Sequence, residues 1–244
     1  MKKIIFIIVI INIFNYSFFC KQNKVNFSIK MEGFHTKITD EYSCDQWEEK
    51  FTYKGSLKTK SYLIYGFSVG YNLCKKISLL VGYNYGKKKI SNSFEFQIPN
   101  PWFYDKQKNY KQENEPIDYR THIIELGVRY TFLKNRKMSF YLQGGISYFI
   151  LKFSTFDNCE FIWEYPEKLT VNNFVCKKYS PETIGINLGT GVIYNISKLI
   201  DFGFGLNYRY GKIKQTVRED SFMENVLKFN GGNFYPFLCL IIKI

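Results

Sequence analysis

Large apolar side chains recur at every second position along most of this chain, which is the period of a β-strand with two different faces. Leu63, Tyr65, Phe67, Val69, Tyr71 and Leu73 alternate with Ile64, Gly66, Ser68, Gly70 and Asn72, which are mostly small or polar. After Cys74-Lys75-Lys76 the pattern resumes with Ile77, Leu79, Val81, Tyr83 and Tyr85. A second pair carries Ile124, Leu126, Val128, Tyr130 and Phe132, then Met138, Phe140, Leu142, Ile146, Tyr148 and Ile150. A third carries Ile184, Ile186, Leu188, Val192 and Tyr194, then Phe202, Phe204, Leu206, Tyr208 and Tyr210. Residues 25–34 and 233–244 add flanking strands, so the pattern predicts eight strands of roughly 10–13 residues, the length of a tilted membrane-crossing strand.

The connections alternate in length. Those at 74–76, 133–137 and 197–200 are short, whereas 35–60, 87–120, 152–182 and 212–232 are long, polar and hold all six prolines but Pro236. Short turns at one end and long loops at the other predict an all-β, eight-stranded antiparallel up-and-down transmembrane barrel. The aromatics support this. If odd strands run outward, Tyr71, Tyr130, Phe132 and Tyr194 lie near the short turns. Tyr65, Tyr83, Tyr85, Tyr148, Tyr208, Tyr210 and Phe234 lie near the long loops. Two girdles with aliphatics between them are what a bilayer selects, because amphipathic rings prefer its interfaces. A soluble lipocalin-like barrel, the rival reading, would put its apolar face inside.

This alternation resembles the small outer-membrane barrels: the OmpA transmembrane domain, OmpX and the Opa adhesins. The likeness is architectural and covers nearly all of residues 21–244. It implies a bacterial outer membrane, surrounding lipid that includes lipopolysaccharide, and insertion by the barrel assembly machinery. Asn233 to Ile244 is similar to the terminal strand that machinery reads, although Ile244 stands where that signal normally ends in an aromatic.

Residues 1–20 fit export. Lys2 and Lys3 precede an apolar run from Ile4 to Ile11, interrupted later by Asn12 and Asn15, so the segment reads as a signal peptide ahead of a barrel domain at 21–244. Cys20 lacks the small preceding residue of a lipidation site. Export permits disulfides, and Cys159 and Cys176 share one long connection. They are candidates for a bridge, with free thiols as the other reading. No Cys/His spacing suits a metal, and no cofactor motif occurs.

Composition changes this picture little. The 244 residues are 45% hydrophobic and 19% aromatic, which excludes disorder. The formal charge of +13 comes from scattered Lys, tightly clustered only at Lys87-Lys88-Lys89, without a nucleic-acid-binding motif, so nucleic acid is not an expected partner.

Inward parity falls to Lys30, Glu32, Glu125, Arg129, Gln143, Asn187 and Arg209, with Asn207 and many glycines. Eight strands leave a lumen just filled by side chains, where buried charges must pair. A plugging salt-bridge network is the principal expectation, with Glu125 paired to Arg129, Arg209 or Lys30. A narrow channel for ions or small solutes is the alternative. Only His35 and His122 could serve as imidazole bases, and no Asp-x-His or His-x-Ser occurs, so a non-catalytic protein is expected. Trp102, Phe103, Tyr104 and Tyr110, set among polar residues in one long connection, are the candidate recognition surface. The expected role is therefore structural or surface interaction through these loops.

Overall fold

The computed structural model describes residues 25–34, 37–46, 49–58, 62–90, 93–103, 106–113, 117–135, 137–165, 168–218, 224–230 and 233–244. The expected signal peptide lies outside the described residues, as does His35. Fourteen strands follow in chain order: β1 (Val25–Phe34), β2 (Lys37–Gln46), β3 (Glu49–Lys58), β4 (Tyr62–Asn72), β5 (Ile77–Ile90), β6 (Ser93–Pro99) and β7 (Gln107–Glu113). Next come β8 (Ile117–Lys134), β9 (Met138–Glu164), β10 (Lys168–Tyr179), β11 (Glu182–Asn195), β12 (Ile200–Arg218), β13 (Glu224–Asn230) and β14 (Asn233–Lys243).

Eight of them close a barrel in the order β1, β4, β5, β8, β9, β11, β12, β14, and every pairing is antiparallel. The seam joins the first strand to the last, with Ile29 opposite Leu240. This pairing leaves no open edge within the membrane, where an unpaired backbone group would have no water to bond. The β1–β14 ladder stops at Glu32 opposite Phe237. Pro236 comes next and has no N–H to donate. The short turns are tight: Ile77, Met138 and Ile200 carbonyls accept from Leu73, Asn135 and Ser197 at 3.0, 2.7 and 2.9 Å.

The alternating apolar set faces outward. Ile29, Phe67, Val81, Leu126, Leu142, Leu188, Leu206 and Leu240 are all exposed. A chain with that exterior and an interior holding Glu32 and Arg209 is the inverse of a lipocalin.

The expected long loops are corrected. Most of residues 35–60, 87–120, 152–182 and 212–232 is strand. Above the barrel β12 continues into a wall ordered β12, β13, β2, β3, β6, β7, while β9 continues into a hairpin with β10. Continuing the ladder satisfies backbone groups that a loop would leave to water. Phe94, Phe96 and Ile98 of β6 and Phe51, Tyr53 and Leu57 of β3 do alternate with polar residues, but these runs are short and sit in segments rich in charge, so they do not stand out in the sequence.

Candidate functional site

The barrel interior is filled in layers, each built from inward positions of several strands. At mid-height lies an ion layer. Arg209 of β12 is fully buried. Its Nε donates to Glu125 Oε1 of β8 at 2.8 Å, and its Nη2 donates to Glu32 Oε2 of β1 at 3.0 Å while Nη1 reaches Glu32 Oε1. The Lys30 ammonium lies 2.9 Å from Glu32 and 3.5 Å from Glu125. Two carboxylates thus face two cations, the balance that burial of charge requires.

Amides complete the layer. Asn84 donates to Glu125 at 2.9 Å, Asn207 to Glu32 at 3.0 Å, and Gln143 to Asn207 at 2.9 Å. Glycines make the room. A Cβ at Gly66 would stand 2.2 Å from Asn84 Oδ1, and one at Gly189 would stand 2.4 Å from Asn207 Oδ1.

Arg129 does not join Glu125. It lies lower, 4.4 Å from the Tyr141 ring, and donates to Gln143 at 3.3 Å. Tyr141, Phe237, Cys239 and Ile241 form an apolar cluster at this level. Asn187 is apart from the ions and donates to Ser147 at 2.9 Å.

Toward the wall, sequence reasoning missed a third layer. Phe34, Tyr62, Ile64, Ile90, Tyr119, Ile123, Phe149, Leu151, Phe153 and Tyr235 make one buried cluster. Phe34 stacks on Tyr235 at 4.9 Å and meets Tyr62 edge-on at 5.7 Å. The Tyr62 hydroxyl bonds Thr121 Oγ1 at 2.8 Å, so its polar atom is satisfied. A signal existed: in Tyr148-Phe149-Ile150-Leu151 both parities are large, which a one-sided strand does not need.

The nine girdle tyrosines, Tyr65, Tyr71, Tyr83, Tyr85, Tyr130, Tyr148, Tyr194, Tyr208 and Tyr210, occupy outward parity and none is buried. The Tyr83 hydroxyl bonds His122 Nδ1 at 2.7 Å, and Tyr148 pairs with Glu182. Of the candidate recognition aromatics, Trp102 is exposed and Phe103 and Tyr110 are half-buried, whereas Tyr104 lies outside the described residues. Trp102 meets Trp163 at 6.2 Å and Tyr165 at 6.0 Å, and Phe96 meets Phe161 at 5.8 Å. The β6–β7 and β9–β10 hairpins are therefore joined by aromatic contacts. Cys176 stands opposite Phe156 in a bulged stretch, and the Cys159 side chain is outside the described residues. Among the described residues no His/Cys/Asp/Glu cluster suits a metal ion.

A closed antiparallel barrel with an apolar exterior, aromatic girdles and a polar, packed interior defines an outer-membrane barrel protein. The family model for the outer membrane protein beta-barrel domain matches residues 46–234, and the chain belongs to that family. No curated protein matches the sequence. Among solved structures, the outer membrane protein OprG from Pseudomonas aeruginosa is similar at a TM-score of 0.57 and 9% identity, over 92% of this chain and 97% of that one. The outer membrane protease OmpT from Escherichia coli is similar at 0.55 and 8%, over 92% and 98%. Neisserial surface protein A is 16% identical over 89% and 97%, with a TM-score of 0.41.

The likeness to OmpT corrects the expectation of a non-catalytic protein. The fold is shared with a protease, so the architecture gives no ground for excluding catalysis.

Proposed function

We propose that this protein is a sealed bacterial outer-membrane barrel whose role is to hold a tall β-wall at the cell surface, where the wall meets its partners. The packed lumen is the observation that carries this reading. An ion layer with matched charges and an aromatic layer above it occupy the bore from several strands at once. Such a bore favours presentation over permeation, because opening it would strand buried charges. The wall supplies recognition chemistry, with exposed aromatics at Trp102 and Tyr165. Export by the segment 1–20 and insertion through recognition of β14 belong to the same reading, as does a shell of outer-membrane lipid including lipopolysaccharide.

The reading is tested with liposomes holding the refolded full-length chain. Arabinose should not enter them faster than it enters protein-free liposomes. Rapid swelling would replace presentation by the channel alternative.

A further inference from the structure

Just above the girdle on one side of the barrel, three cations stand in a row. Lys87 of β5 is directly opposite Arg120 of β8, and Arg120 is directly opposite Lys152 of β9. All three have the parity of the lipid-facing residues and are exposed. The next outward row down is Tyr85, His122 and Ile150, and below that come Tyr83, Ile124 and Tyr148. Adjacent strands are about 4.8 Å apart, so the backbone positions of the row span about 10 Å.

Like charges directly opposite one another weaken a sheet. One anion relieves part of this row: Asp118 lies 2.9 Å from Lys87 and 3.7 Å from Arg120, and the hydrogen bond from Lys87 holds its carboxyl below the usual range. Lys89 stands opposite Asp118 on the same face. Lys152 pairs with no carboxylate among the described residues. Glu182, opposite Ile150 one row down and bonded by Tyr148, is a second carboxylate on this face, so four cations face two carboxylates and leave an excess of two positive charges.

We propose that Lys87, Arg120 and Lys152 form a binding site for the phosphate groups of an outer-leaflet lipid, whose acyl chains lie down the apolar strip beneath them. A soluble anion would use the cations alone. A phosphorylated lipid uses both features, charge at the headgroup level and, beneath the two girdle rows, the exposed apolar row Val81, Leu126 and Ile146 on the same three strands. The site depends on the transmembrane placement of the barrel and is independent of whether the lumen is sealed.

The test uses the refolded full-length chain in octyl glucoside micelles, with bound lipid counted by native mass spectrometry. The probes are diphosphorylated lipid A, its monophosphorylated form, and inorganic phosphate as competitor. Each cation near a charged lipid surface contributes about fivefold in affinity. The triple variant K87Q/R120Q/K152Q should therefore bind diphosphorylated lipid A about 100-fold more weakly. The variant K87R/K152R should bind as wild type does. The monophosphorylated lipid should bind wild type more weakly than the diphosphorylated one, and millimolar inorganic phosphate should not displace either. If the triple variant fails to show the heat-modifiable gel migration of a folded barrel, Lys152→Gln alone is read instead, with a loss of about fivefold. Undiminished lipid binding by the folded variant overturns the site. Displacement by inorganic phosphate makes it a soluble-anion site and overturns the lipid assignment.

Discussion

Arg209→Met removes the cation that joins both lumen carboxylates. Arg209 is fully buried, holds Glu32 through two guanidinium nitrogens and reaches Glu125 at 2.8 Å. Met fills much of the same volume, so the main loss is charge. Lys30 alone would remain for two carboxylates, at 2.9 and 3.5 Å, leaving the layer one negative charge in excess. Breaking a buried ion pair by removing one partner costs about 3–5 kcal/mol. Glu125→Gln produces the opposite imbalance, two cations against Glu32, and should cost about 3 kcal/mol. The double variant restores neutrality, with Lys30 facing Glu32. It should be less destabilised than the sum of the singles by about 2 kcal/mol or more. Urea unfolding of the refolded proteins in phosphocholine vesicles, followed by tryptophan fluorescence and gel migration together, measures this. Single-variant losses that add to within about 0.5 kcal/mol would show that the charges are not coupled and would refute the ion layer.

Leu188 faces outward near mid-strand and is exposed, so Leu188→Arg should cost about 2–4 kcal/mol at the bilayer midplane in the same unfolding assay. Gly145 faces a tighter limit: a Cβ there would lie 2.1 Å from the Leu126 carbonyl oxygen and 2.5 Å from Gly127 Cα. Gly145→Val should therefore cost about 1–3 kcal/mol or more, and equal unfolding midpoints would contradict the close approach of β8 and β9. Orientation is read by cysteine labelling. A cysteine replacing Asn109, exposed in the β6–β7 hairpin, should react on intact cells, and one replacing Asn135, exposed in a short turn, only after permeabilisation. The reverse pattern would invert the barrel.

The membrane-crossing part of the fold was legible because lipid outside and packed side chains inside force a period of two. Val81, Leu126 and Ile146 stand side by side on adjacent strands, all outward, as their parity requires. Above the girdle that constraint ends. Lys37–Gln46 has no uniformly apolar parity and Glu49–Lys58 only the short run Phe51, Tyr53 and Leu57, yet both become strands because their backbones need partners. The polar inward residues could be named from parity, but their partners could not. Glu125 meets Arg209 across the bore, 84 residues away in sequence, because barrel stagger sets which heights coincide. Arg129, four residues from Glu125 on the same face, lies instead over Tyr141. The aromatic layer was hidden because Phe149, Leu151 and Phe153 fall at the end of a strand already read as having one apolar face.

Whether the bore is closed is read most directly by single-channel recording of the refolded chain in a planar bilayer, beside a variant in which the aromatic layer and the ion layer are both cut back, Phe149→Ala with Tyr119→Ala and Arg209→Ala. The packed interior predicts a silent baseline for wild type and discrete current steps for the variant, provided it still shows heat-modifiable migration. Resolved, reproducible steps from the wild-type protein would contradict the sealed barrel.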